Sequence, residues 1–143
     1  MNPTTPEQDF YAWTQQQAHL LRTGKLQEID WQNIAEEIED MGRSEKRQLE
    51  SRLEILIMHL LKWQFQPNLR SRSWQLTIKE QRLRLEKLLA ENPSLQGNLT
   101  EVIEKVYPLA SLSAERETGL SLFPPLCPYN ITEILSDDLP TEE

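Results

Sequence analysis

The middle of the chain carries the strongest helical pattern of apolar residues. After Ser44, apolar side chains recur at spacings of 4, 3, 4 and 3 in a seam like that of a coiled coil, formed by Leu49, Leu53, Leu56, Leu60 and Trp63. Residues 55–61 add apolar side chains on the other sides of the same helix. A helix that is apolar all round must be covered all round. We therefore predict a central helix of a bundle, capped at Ser44 and ended by Pro67.

Two helices are predicted before the central one. The first starts at Thr5, with a capping box closed by Gln8, and Gly24 ends it in a left-handed cap. The second follows Asp30 as its N-cap and is closed by Gly42. Its apolar face is formed by Trp31, Ile34, Ala35, Ile38 and Met41. The rest of its surface is acidic, which is typical of a solvated face, and carries Glu36, Glu37, Glu39 and Asp40.

Two long helices are predicted after the central one. The fourth helix is capped by Ser71 or Ser73 and stops at Pro93, and its main face is formed by Trp74, Ile78, Gln81, Leu85, Leu88 and Leu89. Leu76 and Leu83 point roughly the opposite way, so this second stripe needs another part of the chain or a partner chain to cover it. The fifth helix runs from about Ser94 to Thr118, and a kink or break is expected at Pro108.

The C-terminal part is predicted to be an extended strap, because three prolines occur in the run LFPPLCPY. Asn130 then caps a short last helix over residues 131–136. The predicted fold class is thus all-α: a bundle of about five helices with an extended Pro-rich C-terminal strap and a short last helix. We expect residues 1–143 to form a single helical domain, with its core over about 6–118, the strap and short helix over 119–136, and a flexible tail over 137–143.

Composition narrows the class of protein further. The chain is 38% hydrophobic and 27% charged, as expected for a globular domain. No stretch approaches the roughly 20 apolar residues that span a bilayer, and the N-terminal MNPTTPEQDF lacks the basic and apolar regions of a signal peptide. Cys127 is the only cysteine, so an internal disulfide is impossible. We expect a cytoplasmic protein that does not contact membranes.

Charge is distributed unevenly along the chain. Residues 1–42 carry 2 basic and 8 acidic side chains, residues 43–87 carry 11 and 5, and residues 88–143 carry 2 and 10. The simplest interpretation of this charge distribution is that acidic outer helices pack around a basic middle segment. The alternative is that the middle segment forms a surface for an anion or a nucleic acid. The net charge of −8 opposes nucleic-acid binding. The basic face of the fourth helix is also interrupted by glutamates, and it comprises Lys79, Arg82, Arg84 and Lys87.

No complete catalytic set is recognisable, and no metal or cofactor is predicted. A di-iron bundle needs Glu-x-x-His pairs, whereas Gln16 and Leu56 stand three residues before His19 and His59. A mononuclear site using His59 with Glu37 or Glu39 is a weaker possibility than a hydrogen-bonded core histidine. Cys127 lies between prolines, and we interpret it as a small buried anchor of the strap rather than a nucleophile.

The most suggestive polar cluster is Arg-Ser-Arg-Ser-Trp at residues 70–74. Free amides at a helix N-terminus together with guanidiniums and hydroxyls suit an anion such as phosphate. The candidate pocket comprises His59, Lys62, Trp63, Arg70, Arg72, Ser73 and Trp74. The favoured alternative is that Arg72 pairs with a carboxylate of the second helix and locks the bundle, the candidate partners being Glu36, Glu37 and Glu39.

Several segments together resemble the bacterial family called domain of unknown function 29. The likeness covers Phe10 to Leu135 and rests on DFYAWTQQQAHLLRTG, IDWQNIAEEIEDMGRSEKRQLESRL, HLLKWQFQP, RSRSW and FPP-x-CPY-x-x-x-x-IL. This resemblance implies an all-helical, cytoplasmic bacterial protein, and it implies no established activity or catalytic residue. Pro108 departs from the helix former expected there.

The working hypothesis from the sequence is a non-enzymatic interaction or adaptor domain. The Leu76 and Leu83 stripe is the candidate interface, for a protein partner or for a second copy of the chain. A small-anion or phosphometabolite site near His59 and Arg72, which could be enzymatic, is the alternative. Nucleic-acid binding through the basic middle segment is the second alternative.

Overall fold

The computed structural model describes residues 3–141, and the fold within them is all-α, as predicted. This part of the chain contains no strand and has five α-helices: α1 (Phe10–Arg22), α2 (Trp31–Phe65), α3 (Arg72–Glu91), α4 (Leu99–Thr118) and α5 (Ile131–Leu135). Short 3₁₀ helices occupy Leu26–Glu28, Pro67–Leu69 and Pro93–Asn98.

Most helix ends follow the local signals in the sequence. Ser71 caps α3 by accepting from the Trp74 amide, and Asn130 forms a capping box with Glu133 at the start of α5. Gly24 and Gly119, just beyond α1 and α4, take positive φ values of 71° and 75°.

The predicted start of the first helix at Thr5 was wrong. Thr5 and Gln8 do exchange the side-chain bonds of a capping box, but the residues between them form a turn. The helix begins later, at Phe10, because the Asp9 carboxylate accepts from the Ala12 amide and acts as the N-cap.

The predicted boundary at Gly42 was also wrong. The second and third predicted helices are one helix, α2, of 35 residues, and Ser44 lies inside it rather than at a cap. A glycine within a helix costs only about 1 kcal/mol relative to alanine. The Arg43 guanidinium beside Gly42 binds the carboxylates of Asp40 and Glu39 at helical spacing. These pairs contribute to continuing the helix through the glycine.

Helix α4 continues through Pro108, so the predicted break is absent. A proline in a helix removes one backbone bond, to the carbonyl four residues earlier. That residue is Glu104, and both Pro108 and Glu104 are exposed. Water can therefore satisfy the released carbonyl, and the helix does not need to end.

The chain separates into two compact units, the first ending at Ser44 and the second beginning at Glu45. The first unit contains α1 and the first turns of α2, and its buried side chains are Trp13, Gln17 and Ile29. The Gln17 amide oxygen accepts from the Asp30 backbone at 2.8 Å, and Trp13 Nε1 donates to the Asp30 carboxylate at 3.1 Å. The Asn33 side chain also donates to that carboxylate, and this bond is the first cause of the lowered pKa of Asp30.

The core of the second unit is built on the predicted seam of the central helix. The later part of α2 packs with α3, α4 and α5, and the fully buried large side chains are Leu49, Leu53, Leu56, Ile57, Leu60, Leu61, Ile78, Leu85 and Ile134. Strap residues Phe123, Cys127 and Tyr129 pack on this core, as does Leu139. That residues 1–143 form a single domain with a flexible tail over 137–143 stays a prediction, and residues 142 and 143 lie outside the described part of the chain.

Candidate functional site

Two members of the candidate anion pocket, Lys62 and Trp74, lie together at the end of α2. The Lys62 side chain is buried, with 7% of the residue exposed. Its Nζ atom lies 4.6 Å from the centroid of a Trp74 ring and donates to Glu117 Oε2 at 2.5 Å. Glu117 comes from α4 and was not expected here from the sequence. The Lys62 ammonium thus already has a carboxylate partner and an aromatic face.

Two further members, Trp63 and Arg70, form a second contact at the same end of α2. The Arg70 Nε atom donates to the Trp63 carbonyl at 2.8 Å, and the guanidinium carbon lies 5.0 Å from the centroid of the Trp63 ring. The last carbonyls of a helix lack partners within the helix, and a cation there is favourable. Arg70 therefore caps α2.

His59 is half-buried on α2, and its Nδ1 atom lies 2.9 Å from the Ile55 carbonyl of the preceding turn. Burial is the first cause that holds the pKa of His59 below its usual value, and the Lys62 charge lowers it further. We infer a neutral imidazole at pH 7 that donates from Nδ1, which suits a core histidine.

The lowered pKa of His59 predicts that this residue makes the fold less stable in acid. Its pKa is lower in the folded chain than in the unfolded chain, so the unfolded chain binds the proton more readily below about pH 6.5. The stability present above that pH should therefore decline as the pH falls to 5. We expect His59→Leu to flatten the decline, as measured by urea unfolding at pH 5 and pH 7.5. An unchanged decline in that variant would contradict this role for His59.

The remaining pocket residues, Arg72 and Ser73, are exposed at the start of α3. The Arg72 guanidinium donates to the Gln75 side chain at 3.3 Å, and the Ser73 carbonyl accepts from Thr77. The suggested carboxylate partners, Glu36, Glu37 and Glu39, belong to the first unit, where Glu39 pairs with Arg43 at 3.7 Å. Pairing of Arg72 with any of the three stays a prediction.

The strap is held by buried hydroxyl groups. The Tyr129 hydroxyl donates to the Gln64 side chain of α2 at 2.6 Å, and the Tyr107 hydroxyl of α4 donates to the Pro124 carbonyl at 2.6 Å. Burial raises the pKa of both tyrosines. Burial also raises the pKa of the Cys127 thiol, which donates to the Tyr129 carbonyl at 3.4 Å. A raised pKa reduces the thiolate fraction, so these contacts favour an anchoring role for Cys127.

Arg82 is placed differently from the prediction, which assigned it to an exposed basic face. It is 8% exposed and lies on the core side of α3. Its Nε atom donates to the Ile134 carbonyl at 2.8 Å, and Nη2 donates to the Glu133 carbonyl at 3.2 Å. The burial of Arg82 could have been predicted from the sequence, because this residue is four residues after Ile78 and three before Leu85, which both lie on the buried face.

Several grooves lie on the second unit, three of them beside α3, α4 or the strap. Two of them, of 380 and 690 Å³, share Arg82, Glu86 and Leu135. The third, of 470 Å³, lies between Tyr107 of α4 and strap residue Leu126. None of the seven candidate-pocket residues lines any of these three grooves. The Lys62 ammonium donates to Glu117 and the Arg70 guanidinium to the Trp63 carbonyl, and an anion pocket formed by the seven residues stays a prediction.

The first turns of α2 carry an exposed row of large apolar side chains. Trp31, Ile38 and Met41 are 56%, 58% and 62% exposed, and Ile34 between them is half-buried. These four residues, which we call the α2 row, follow one another at spacings of 3, 4 and 3, as in the buried seam. The sequence predicted this face but not its exposure.

Acidic side chains accompany the α2 row. Glu36 and Glu39 are exposed and Glu37 is half-buried. Among the residues that the structure describes, Glu36 and Glu37 form no ion pair.

The predicted second stripe of α3 does face away from the core. Leu76 and Leu83 are 47% and 57% exposed. Three exposed cations lie on the same side of the helix. Arg72 is four residues before Leu76, Lys79 is three residues after Leu76, and Lys87 is four residues after Leu83. We call these five residues the α3 stripe.

These observations define a class of protein: an all-helical domain in which residues 3–141 contain no group of three or more side chains suited to a metal ion. No helix in this part of the chain is long and apolar enough to cross a membrane. The model of the family described as "Domain of unknown function DUF29" matches residues 6–139, so the chain belongs to that family and the resemblance is confirmed. No curated protein and no solved structure matches the chain. The function of this chain must therefore be inferred from the contacts and exposure of its own residues.

Proposed function

We propose that this chain is a non-enzymatic protein-interaction domain that binds through the α2 row. The observation that carries the proposal is the exposure of Trp31, Ile38 and Met41, each more than half accessible although they repeat at the spacing of a buried seam. A seam with this spacing is complementary to another helix.

These exposed apolar side chains are grouped on one face of the helix. Single exposed apolar residues are normal on protein surfaces, but a contiguous apolar face marks an interaction site. Fully burying a side chain such as isoleucine or methionine contributes about 1.5–3 kcal/mol. Tryptophan and methionine are also enriched in protein interfaces. Trp31 is further oriented by a bond from its Nε1 atom to the Leu26 carbonyl at 3.2 Å.

The two alternatives have less support in the contacts. For a small anion, the Lys62 charge already contacts Glu117, and Arg70 caps α2. For nucleic acid, Arg82 is buried away from the basic face of α3. Both alternatives stay predictions without a favouring observation.

Site-specific photo-crosslinking in intact cells tests the proposal. A benzophenone amino acid placed at Ile38 should form one dominant protein adduct, because a side chain in the centre of the row touches the partner. Mass spectrometry of the adduct identifies the cross-linked protein, which can be a second copy of this chain. Adding Trp31→Ser should reduce its yield.

The matched control is the same amino acid placed at Glu36. Glu36 is also exposed and lies two residues from Ile38, on the opposite side of the helix. A protein-interaction domain acting through this row requires an adduct at position 38 and little or none at position 36. Equal yields at both positions, or none at either, would refute the proposal.

A further inference from the structure

We propose that the groove between α4 and the strap binds a small organic cation, an ammonium group carried on an apolar body. The groove has a volume of 470 Å³, and the residues that line it belong to the second unit. Pockets for small molecules have volumes of about 300–1,000 Å³. The α2 row contributes none of the lining residues, so binding here is independent of the interaction proposed for that row.

The groove carries a negative charge without a neutralising partner. Among the residues that the structure describes, Glu104 is the only acidic residue that lines it, and no lysine, arginine or histidine does. Within residues 3–141 Glu104 forms no ion pair, and the neighbouring Lys105 instead binds Glu50 of α2 at 2.8 Å. A cleft lined by one sign of charge attracts the opposite charge. One carboxylate is too few for a divalent metal ion, whose sites use about six oxygen ligands or more, so the expected cation is organic.

A backbone acceptor belongs to the same residue as this carboxylate. Pro108 has no N–H group, so the Glu104 carbonyl lacks its usual donor one turn along α4. Both Pro108 and Glu104 line the groove. A protonated primary amine carries three N–H donors and no acceptor, as a lysine side chain does. It therefore matches a site that offers a carboxylate and a carbonyl, and the proline that costs α4 a hydrogen bond supplies the site with an acceptor.

Aromatic and apolar side chains line most of the remaining groove. Tyr107 and Tyr129 are buried, and each donates its hydroxyl to another group of the chain at 2.6 Å. These bonds fix the two rings, and aromatic rings attract organic cations. The other apolar lining favours a ligand with an apolar body, and it comprises Ile103, Pro108, Pro125, Leu126 and Ile131.

Titration of the isotope-labelled full chain with n-hexylammonium chloride, followed by NMR, tests the site. The amine is protonated at pH 7, as a lysine side chain is. We expect saturable shifts at millimolar concentration, confined to residues that line the groove. n-Hexanol has the same apolar body without the charge and should bind at least about tenfold more weakly. Equal affinities for the two compounds, or no saturable shift with the amine, would overturn the inference.

Glu104→Gln should weaken the binding of n-hexylammonium at least about tenfold, because the amide keeps the shape of the side chain and removes its charge. The matched control is Glu101→Gln. Glu101 is also exposed on α4, three residues earlier, and does not line the groove. It should leave the affinity within about twofold, since screening by salt weakens the effect of a distant exposed charge. Equal losses in the two variants would indicate a general attraction to an acidic protein and overturn the site.

Pro108→Ala tests the backbone acceptor separately. Alanine returns the N–H group that bonds the Glu104 carbonyl within the helix, so the affinity for n-hexylammonium should fall. The variant should also resist urea better, because alanine favours a helix far more than proline does. A more stable variant with unchanged affinity would overturn the role given to this carbonyl.

A lysine side chain of a partner protein has the same chemistry as a small amine, and a second probe separates the two sources. Nα-acetyl-lysine N-methylamide carries the ammonium group together with two peptide groups. The mostly apolar lining offers few partners for these amides, so the blocked lysine should bind more weakly than n-hexylammonium. Tighter binding of the blocked lysine would overturn the assignment of a small molecule.

Discussion

Arg82→Met is expected to release α5 and the end of the strap from the core. The guanidinium donates to the carbonyls of Ile134 and Glu133, which lie at the end of α5. Methionine fills similar space but leaves both carbonyls without these donors. Hydrogen bonds to charged groups contribute about 1.5–3 kcal/mol each, so we expect the free energy of unfolding to fall by about 2–4 kcal/mol. Urea unfolding measures the loss.

The matched control for this prediction is Arg84→Met. Arg84 lies two residues further along α3, is exposed, and pairs with Glu80 at 3.8 Å. An exposed pair of this kind contributes between 0 and about 1 kcal/mol, so this variant should stay close to the unmodified chain. Hydrogen exchange should show where the structure is loosened, since the amides of residues 131–135 should lose protection in the Arg82 variant. Equal losses of stability in the two variants would contradict the role assigned to Arg82.

The sequence predicted the helices well because helical periodicity is a local signal. Leu49, Leu53, Leu56 and Leu60 were placed together on a buried face from their spacing, and the structure buries all four. The prediction of a helix end at Gly42 was wrong because the sequence of a glycine followed by a potential capping serine can occur both at a helix end and inside a helix. What decides between them is the balance of neighbouring interactions, here the pairs of Arg43.

Polar residues at core positions were harder to assign than apolar ones. Gln17 and Arg82 both stand in the buried stripe of their helix, and the sequence analysis nevertheless assigned Arg82 to an exposed basic face. Their burial is explained by distant backbone groups, the Asp30 amide and the Ile134 carbonyl. A pattern along one helix contains no information on such partners. Glu117 was missed for the same reason, since it is 55 residues from Lys62.

Exposure of the α2 row could not be predicted, although its residues could. The spacing of Trp31, Ile34, Ile38 and Met41 shows that one face of the helix is apolar, and it does not show what covers that face. The same limit applied to Leu76 and Leu83, for which the sequence left a partner chain open. Amphipathic spacing therefore identified both faces, and only coordinates could show that both are accessible.

Two alanine substitutions in α2 should differ sharply in their effect on stability. Leu56 is fully buried in the second unit and Ile38 is 58% exposed, although both belong to apolar rows of the same helix. Leu56→Ala removes buried methyl groups and leaves a cavity, which costs about 2–5 kcal/mol. Ile38→Ala removes little buried surface and gains helix propensity, so its effect should stay within about 0.5 kcal/mol. Urea unfolding at low protein concentration compares them.

Protein concentration turns this comparison into a test of what covers the α2 row. If the row is covered by a second copy of the chain, Ile38→Ala should leave stability unchanged in dilute solution and lower it as the concentration of the chain rises, since association stabilises the folded state. Leu56→Ala should cost the same at every concentration, because its neighbours belong to its own chain. A loss above about 2 kcal/mol for Ile38→Ala in dilute solution would be typical of a buried side chain. The interaction proposal would then lose the exposed surface on which it depends.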